Sequence, residues 1–391
     1  RVALQFAAAS SARVLQSRAE HQLALVSVAS GASAEARSAL ERTRVLARGV
    51  RDSALHIDVL IQLAARSRAA GEPSRARDLA LEAWTEASEH DDAVRRSAAM
   101  LELGLLEVDA RQAEAAETRF RSALAAAQAH RASRLVTRIH EGLVEARLKA
   151  DDIAGAIAYA EAAGAHARAL GPFGASEAVT AALLSARVHR EAQDVSMLRS
   201  CAQEAVRVAE DSGDRSLQAR AALEAGRLCI EADPDSALAT FERGLLRARE
   251  ADAFAVEAAL EGEIAAVKIR HGFLTEAKAR SEAEMEAIAK AGVATGALRN
   301  KLRLARCLGL LGDLKGGADL LESETPGSEG ASLGVGLLAH RSQLRLAQGR
   351  LRGALEDGEA AVRLAGSGLG TRRDLVDALL HRAVCFLGLA D

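Results

Sequence analysis

Side chains that could carry catalytic or metal chemistry are scattered along this 391-residue sequence. Its ten histidines include no His-Glu-x-x-His motif and no two spaced four residues apart, the spacing by which one helix face binds zinc. The four cysteines, Cys201, Cys229, Cys307 and Cys385, lie far apart and form no Cys-x-x-Cys motif. We therefore predict no metal and no cofactor, and we expect reduced cysteines in the core.

Two stretches are superficially similar to catalytic motifs. Residues 366–374, GSGLGTRRD, are rich in glycine but lack the Gly-Lys-Ser/Thr ending and the preceding strand of a phosphate-binding loop. Residues 188–194, VHREAQD, resemble a kinase catalytic loop, but no glycine-rich strand, Asp-Phe-Gly motif or β3 lysine accompanies them. We expect both stretches to be structural, and we expect the single tryptophan, Trp84, to be a packing residue beside Ala83.

The composition indicates a protein made of helices. Helix-forming Ala, Leu, Arg and Glu dominate, whereas there are only four prolines and aromatic residues make up 2% of the chain. The formal net charge of −3 gives no general attraction to nucleic acid or to an anionic membrane. No stretch approaches the run of about 20 apolar residues that spans a bilayer. Together with the many arginines and few lysines of a GC-rich genome, these features lead us to expect a bacterial, cytoplasmic protein.

Turn residues recur at intervals close to 40 residues, and small side chains recur in register with them. The predicted breaks are Gly31, Gly71, Arg111, Asp151, Gln193, Asp233, Gly272, Gly312 and Gly349. Seven residues before a break stand Ala24, Ala64, Gly104, Ala186, Gly226, Ala265, Ala305 and Ser342, with Val144 as the exception. Five residues after it stand Ala36, Ala76, Ala116, Ala156, Ala277 and Ala354, and twelve after it Ala83, Ala123, Ala163, Ala205 and Ala361. Because antiparallel helices approach most closely where side chains are smallest, these positions predict the contact faces of helix pairs.

This pattern of a leucine beside a small residue, a turn, and two later alanines resembles the tetratricopeptide repeat over almost the whole chain. The bulky residues Phe120, Tyr159 and Phe241, eight or nine positions after their breaks, match an aromatic position of that family. The usual period is 34 residues, and the aromatic near the start of the first helix is mostly missing here. The period near 40 is similar to that of the longer-helix variety in bacterial signalling proteins, which implies helices of about 16 or 17 residues.

The resemblance implies an all-α fold, a right-handed α-solenoid of antiparallel helix pairs. We predict a single solenoid over residues 1–391, with about nine pairs and a partial repeat at each end, near 1–10 and 372–388. Pro73 and Pro234 suit the first turns of second helices, and Asp233 suits the N-cap before Pro234. The glycine-rich residues 312–336 predict a short second helix and a weak point at 324–332, which is either a hinge or a degenerate repeat.

In tetratricopeptide superhelices the first helices line a concave groove, and residues six and thirteen before each turn point into it. The residues that this places on the groove are Arg138, Arg187, Arg220, Arg227, Arg299 and Arg306, with Arg190 one turn beyond Arg187, and Glu141 and Glu145 at the upstream rim. Guanidinium groups match carboxylates in geometry, so an acidic partner is one interpretation. The other is that these arginines pair with neighbouring glutamates such as Glu191 and Glu231.

The functional prediction is a non-catalytic scaffold that binds a protein or peptide. The resemblance implies the regulatory part of a larger bacterial signalling protein, such as a Ser/Thr kinase or an ATPase-type transcription regulator, and leaves self-association open. The alternative is an enzyme on a closed α/α toroid, which the scarcity of aromatic residues disfavours. HEAT repeats share the period, but the leucine-small pairs favour the tetratricopeptide pattern.

Overall fold

A computed structural model describes residues 13–29, 33–292, 296–325, 331–366, 375–376, 378–380 and 382–384. Eighteen α-helices lie within these ranges, and we call the odd-numbered ones first helices and the even-numbered ones second helices. They are α1 Arg13–Ala29, α2 Ser33–Val50, α3 Ser53–Ala69, α4 Pro73–Glu89, α5 Ala93–Asp109, α6 Ala113–Ala129, α7 Ser133–Lys149, α8 Ile153–Ala169, α9 Ala175–Glu191, α10 Val195–Ser212, α11 Arg215–Cys229, α12 Pro234–Glu250, α13 Phe254–Arg270, α14 Leu274–Ala291, α15 Ala297–Leu310, α16 Leu314–Glu322, α17 Ala331–Ala347 and α18 Leu351–Leu364. A 3₁₀ turn, Gly171–Gly174, joins α8 to α9.

Most turns have the same construction. One residue adopts a left-handed conformation, and the N–H of the next residue bonds back to the carbonyl five positions earlier, as Glu72 does to Ser67 at 2.9 Å. The left-handed residues lie at the predicted breaks Gly71, Arg111, Asp151, Gln193, Gly272, Gly312 and Gly349. Gly31 lies outside the described residues. The same construction also separates successive pairs, at Arg51, Asp91 and Arg131, so turns recur at half the expected interval.

Aspartates begin many of the helices. The Asp52 carboxylate accepts the backbone N–H of Leu55 at 3.2 Å, and Asp92, Asp152, Asp194 and Asp313 cap their helices in the same way. The predicted N-cap Asp233 is confirmed, since it accepts the N–H of Ser236 at 3.1 Å, and Pro73 and Pro234 are the first residues of α4 and α12. The prediction of 16 or 17 residues per helix is also confirmed, because 17 is the commonest length.

The predicted contact positions are buried. Ala64, Ala186, Ala265 and Ala305 before the turns are at most 1% exposed, and the alanines five and twelve residues after the turns are at most 2% exposed. The small side chains therefore lie where helices meet. The bulky Phe120 on α6 and Phe241 on α12 are fully buried at the aromatic position that the sequence indicated.

Phe120 shows why one of these positions must be glycine. A Cβ added to Gly104 of α5 would lie 2.4 Å from Phe120 Cε1, and one added to Gly142 of α7 would lie 2.8 Å from Phe120 Cζ. The ring therefore occupies the space that two missing side chains leave, one in its own pair and one in the next. This small-to-large contact joins three consecutive helices through van der Waals packing alone.

The glycine-rich repeat has a short second helix, as predicted, because α16 contains 9 residues. A Cβ on Gly317 would lie 2.9 Å from the Ala305 carbonyl oxygen, and one on Gly309 would lie 2.9 Å from Leu344. These two glycines permit close approach of α15, α16 and α17. Part of the predicted weak point, residues 326–330, lies outside the described residues.

The chain divides into two compact units, residues 1–240 and 241–391, and the division falls within α12. The prediction of one continuous solenoid stays a prediction. In unit 2, buried carboxylates join several neighbouring helices. Glu261, which is fully buried, accepts hydrogen bonds from Arg249 at 2.7 Å and Arg280 at 3.2 Å. Burial raises the pKa of Glu261, and the two guanidinium groups oppose that rise.

Two further carboxylates of unit 2 are held in the same way. Asp357 of α18 receives both Arg341 and Arg345 of α17, each with a closest contact of 2.8 Å. Glu284 of α14 accepts from Asn300 at 2.8 Å and contacts Arg303 of α15. Each of these groups is at most 13% exposed, so water contributes little to their solvation.

One packing prediction is wrong. Trp84 of α4 is 40% exposed, and Leu81, three residues earlier on the same helix, is 44% exposed. Ala83, in contrast, is fully buried. Adjacent residues on a helix point about 100° apart, so burial of Ala83 places Trp84 on the outer side of the second helix.

Candidate functional site

The predicted groove positions form one exposed row on each first helix, which we call the first-helix face. It comprises the residues six and thirteen positions before the turns between α3 and α18, namely Asp58, Ala65, Ala98, Leu105, Arg138, Glu145, Thr180, Arg187, Arg220, Arg227, Ala259, Ala266, Arg299, Arg306, Gly336 and Gln343. Each of them is partly or largely exposed, whereas the small residue next to each six-before position is buried. The heptad spacing keeps both positions on the same side of a helix.

In unit 1, ion pairs between successive first helices cross this face from α3 to α9. We call them the charge ladder. Its members are Asp58–Arg95 at 2.8 Å, Arg68–Glu102 at 3.7 Å, Arg68–Asp109 at 3.2 Å, Glu102–Arg138 at 3.0 Å, Asp109–Lys149 at 3.2 Å and Glu145–Arg187. Each pair joins residues 34 to 42 positions apart, which is about one repeat. The ladder therefore neutralises Arg138 and Arg187 within the protein.

Glu102 is the most enclosed member of the ladder. Its side chain is 2% exposed, and it lies between Arg68 of α3 and Arg138 of α7. One carboxylate thus contacts guanidinium groups from the helices on both sides of it. A buried charge held by two opposite charges is difficult to displace, so an incoming acidic group competes poorly for Arg138.

Glu141 lies beside the ladder without joining it. Its carboxylate makes no ion pair or hydrogen bond with any of the residues that the structure describes, although Arg138 and Arg187 are close enough to influence it. Burial raises the pKa of Glu141, and the two arginines oppose this rise only in part. Both guanidinium groups are instead directed to Glu102 and Glu145.

Beyond α9 the arginines are arranged differently. Arg190 pairs with Glu191 at 3.0 Å and Arg227 with Glu224 at 2.9 Å, so each has an acidic partner on its own helix. Arg220 of α11 is exposed and has no ion pair among the described residues of the chain. Exposed pairs within one helix are weak and screened by salt, so the pair with Glu191 leaves the Arg190 guanidinium accessible to another carboxylate.

The first-helix face of unit 2 carries Arg299 and Arg306 on α15. Both are exposed, and neither forms an ion pair within the described part of the chain. The flanking helices place Ala259 and Ala266 on one side, and Gly336 and Gln343 on the other, at the same register. The two guanidinium groups therefore lie on a surface with no acidic residue at those four positions.

The structure brings together some of the predicted site residues and not others. Arg138, Glu141, Glu145 and Arg187 form one cluster across α7 and α9. Arg190, Arg220 and Arg227 follow on α9 and α11, and Arg299 and Arg306 belong to unit 2. The predicted pairing with Glu191 is confirmed for Arg190, but Glu231 forms no ion pair among the described residues.

Sequence reasoning identified Glu145 but missed Glu102 and Asp109 of the ladder. Glu102 lies nine residues before its turn, and Arg138 lies thirteen residues before the turn of the next repeat. The reciprocal spacing of opposite charges one repeat apart was the available signal.

Elsewhere, a cavity of about 320 Å³ lies in unit 2, lined by Phe254, Ala283, Ala287 and two ion pairs. These are Arg249–Glu257 at 2.9 Å and Lys290–Glu286 at 2.8 Å. Its charged groups therefore satisfy one another. Across the described residues, no three His, Cys, Asp or Glu side chains are grouped to hold a metal ion, and none of the described helices is long and apolar enough to cross a membrane.

Comparison with known proteins identifies the fold. No protein-family model matches the sequence, and no curated protein matches it either. Among solved structures, the chain is similar to the Signal Transduction ATPase with Numerous Domains (STAND) protein with a tetratricopeptide repeat sensor from Pyrococcus horikoshii, with a TM-score of 0.52 and 10% identity. The chain has the tetratricopeptide-repeat fold. The match covers 92% of this chain and 53% of the archaeal one, so the chain spans about half of its relative's length.

Two other structures with helical repeats are more distant. The quorum sensor NprR from B. thuringiensis matches with a TM-score of 0.46 and 12% identity, over 88% of this chain and 95% of that one. Yeast Tom70 matches with a TM-score of 0.43 and 10% identity, over 96% of each chain. The likeness to the STAND protein confirms the predicted all-α solenoid of tetratricopeptide type.

Proposed function

We propose that this chain is a protein- or peptide-binding module whose partner binds to exposed arginines of the first-helix face. The observation that carries the proposal is the contrast between the two groups of arginines on that face. Arg138 and Arg187 are neutralised by the charge ladder, whereas Arg220, Arg299 and Arg306 are exposed and have no ion pair within the described residues. Guanidinium groups in this state bind carboxylates through paired hydrogen bonds, which supports an acidic partner.

The likeness to a tetratricopeptide sensor in a STAND protein supports a wider role. In our proposal the chain is the sensory or regulatory part of a larger bacterial, cytoplasmic signalling protein, a Ser/Thr kinase or an ATPase-type transcription regulator. It acts by binding and catalyses no reaction itself. Repeat arrays suit this role because their stacked helices present an extended surface of fixed spacing.

The test is a triple charge reversal, Arg220→Glu, Arg299→Glu and Arg306→Glu. Peptides of about twelve residues would first be selected on the wild-type protein from a random display library, and their affinities measured by fluorescence anisotropy. We expect the triple variant to bind them at least about tenfold more weakly, because three attractive charges become repulsive. Helicity should be unchanged, since all three side chains are exposed.

A matched control reverses three exposed arginines of second helices, Arg77, Arg168 and Arg352, which also form no ion pair among the described residues. This variant has the same net charge as the first and should bind the peptides as the wild type does. Equal affinities in the wild type and the first-helix variant would refute the proposed binding face. Equal losses in both variants would attribute the effect to net charge instead.

A further inference from the structure

We propose that the partner is an extended segment carrying both charges, with a basic group bound to Glu141 and a carboxylate bound to Arg220 about five or six residues away. This inference rests on the proposed function and specifies its ligand. It assigns Glu141 to the partner's positive charge and Arg220 to its negative charge. All of the residues involved belong to unit 1.

Glu141 is a carboxylate with no basic partner among the described residues. Among the acidic residues of first helices α3, α5 and α7, Asp58, Glu102, Glu107, Asp109 and Glu145 all have a basic partner on another helix. Glu141 has none within the described residues, although it is half-buried and flanked by Arg138 and Arg187. Its hydrogen bonds are therefore left to water, and a cation that replaces this water gains a charge-assisted contact. An ammonium or guanidinium group from a partner would supply hydrogen-bond donors to Glu141, because Arg138 and Arg187 are paired with other glutamates.

Arg220 is an exposed cation with no ion pair among the described residues. Arg220 lies thirteen residues before its turn, the same register as Arg138 on α7 and Thr180 on α9. Arg190 and Arg227 lie on the same pair of helices, α9 and α11, and their acidic partners are exposed residues of their own helices. This end of the face therefore attracts a negative group, whereas the position of Glu141 attracts a positive one.

The spacing between the two groups follows from the repeat. Glu141 and Arg220 lie on first helices separated by one other, α9. Packed helices lie about 8 to 10 Å apart, so two steps give about 16 to 20 Å. An extended peptide advances about 3.3 Å per residue and covers that distance in about five or six residues. On the intervening helix, the Thr180 hydroxyl donates to the Ser176 carbonyl at 2.9 Å and Arg187 pairs with Glu145, so neither residue adds an unpaired charge.

The experiment repeats the selection of random peptides of about twelve residues on three proteins: the wild type, Glu141→Lys and Arg220→Glu. On the wild type we expect enrichment of peptides with a basic and an acidic residue about five or six positions apart. On Glu141→Lys the basic residue should be replaced by an acidic one, and on Arg220→Glu the acidic residue by a basic one. Each wild-type peptide should bind the mismatched variant at least about tenfold more weakly.

Two further variants separate recognition from folding. Glu141→Gln keeps the shape of the side chain and removes its charge, so it should weaken binding of the peptides without altering helicity. Glu161→Lys reverses an exposed glutamate of second helix α8 that forms no ion pair in the described chain, and should leave binding unchanged.

The outcomes distinguish this inference from the function on which it rests. Enrichment of purely acidic peptides that depend on Arg220 but not on Glu141 would overturn the inference and leave the proposed function intact. If no enriched peptide depends on any residue of the first-helix face, both are overturned. If the selected charge is exchanged on both Glu141→Lys and Arg220→Glu, the inference and the proposed function are both supported.

Discussion

Phe120 and Asp357 occupy equivalent places in two repeats, nine and eight residues after their turns, yet they join their helices by opposite means. Phe120 fills the space left by Gly104 and Gly142 and makes no polar contact there. Asp357 is held by Arg341 and Arg345 through three hydrogen bonds of 2.8 to 3.0 Å. Neighbouring helices in the same repeat pattern can thus be held together either by complementary side-chain volumes or by paired buried charges.

We call the contact of Phe120 the apolar joint and that of Asp357 the charged joint. Different substitutions should disrupt the two. A joint based on volume tolerates no added atoms, because its neighbours have no room to move. A joint based on charge tolerates no missing partner, because a buried guanidinium left alone loses the group that replaced its water. Substitutions at the two sites therefore test the comparison directly.

The largest effect is expected at the charged joint. Asp357→Ala should lower the free energy of unfolding of α17 and α18 by about 3 to 5 kcal/mol, because it leaves the nearly buried Arg341 without an ion pair and leaves Arg345 with Glu322 alone. Hydrogen exchange of the backbone amides in these two helices provides the measurement. Glu359→Ala is the control, since Glu359 is 43% exposed and lies 3.8 Å from Arg363, and it should change the stability by less than about 0.5 kcal/mol. Similar exchange in both variants would contradict a structural role for the buried ion pairs.

At the apolar joint, Gly104→Ala should destabilise the protein by about 1 to 3 kcal/mol, because its methyl group would lie 2.4 Å from Phe120. Gly164→Ala in α8 is the matched substitution, where the nearest atom is the movable end of Arg168 at 3.3 Å. There the better helix propensity of alanine should stabilise the protein by about 0.5 to 1 kcal/mol. Thermal melts followed by circular dichroism compare the two. A stabilised Gly104→Ala would show that Phe120 moves aside.

A smaller effect on stability is expected from the protonation of a buried histidine in unit 1. His140 of α7 is 3% exposed, and its burial, assisted by His166, lowers its pKa to about 4. The unfolded chain, with a histidine pKa near 6.5, therefore binds a proton first as the pH falls. The contribution of His140 is fully present above pH 6.5 and is lost toward pH 4. Between pH 7.5 and 5.5 the loss should be about 1 kcal/mol.

Urea unfolding at several pH values provides this measurement, and His140→Gln removes the titrating group while keeping a polar side chain. The variant should lose less stability than the wild type between pH 7.5 and 5.5. Parallel curves for the two proteins would mean that His140 takes up its proton equally well in the folded state.

The sequence was sufficient to predict the helices, their turns and their contact faces. Gly104, Ala156 and Phe120 were identified because close packing imposes the same volume limits in every repeat. The regular register made even a non-glycine turn such as Gln193 predictable. Volume is a local property of a residue, so its pattern can be read along the chain.

Charge pairing was less accessible. Which partner Arg138 takes depends on the relative height of helices 36 residues apart, and a shift of one turn would exchange Glu102 for another residue. Long side chains also adopt many rotamers, so the register alone does not fix their contacts. For the same reason the sequence did not separate Arg187, which is committed to Glu145, from Arg220, which is exposed. Trp84 was misplaced because its neighbour Ala83, and not the aromatic ring, occupies the contact position.

The left-handed turn residues have a consequence for engineering. Arg51, Asp91, Arg111, Arg131, Asp151, Gln193 and Asp252 have φ values between +51° and +58°. A side chain in this conformation costs on the order of 1 kcal/mol, which glycine avoids. Because these residues lie at the ends of helices and outside the first-helix face, glycine replacements offer a graded series of more heat-resistant variants whose binding surface is left untouched.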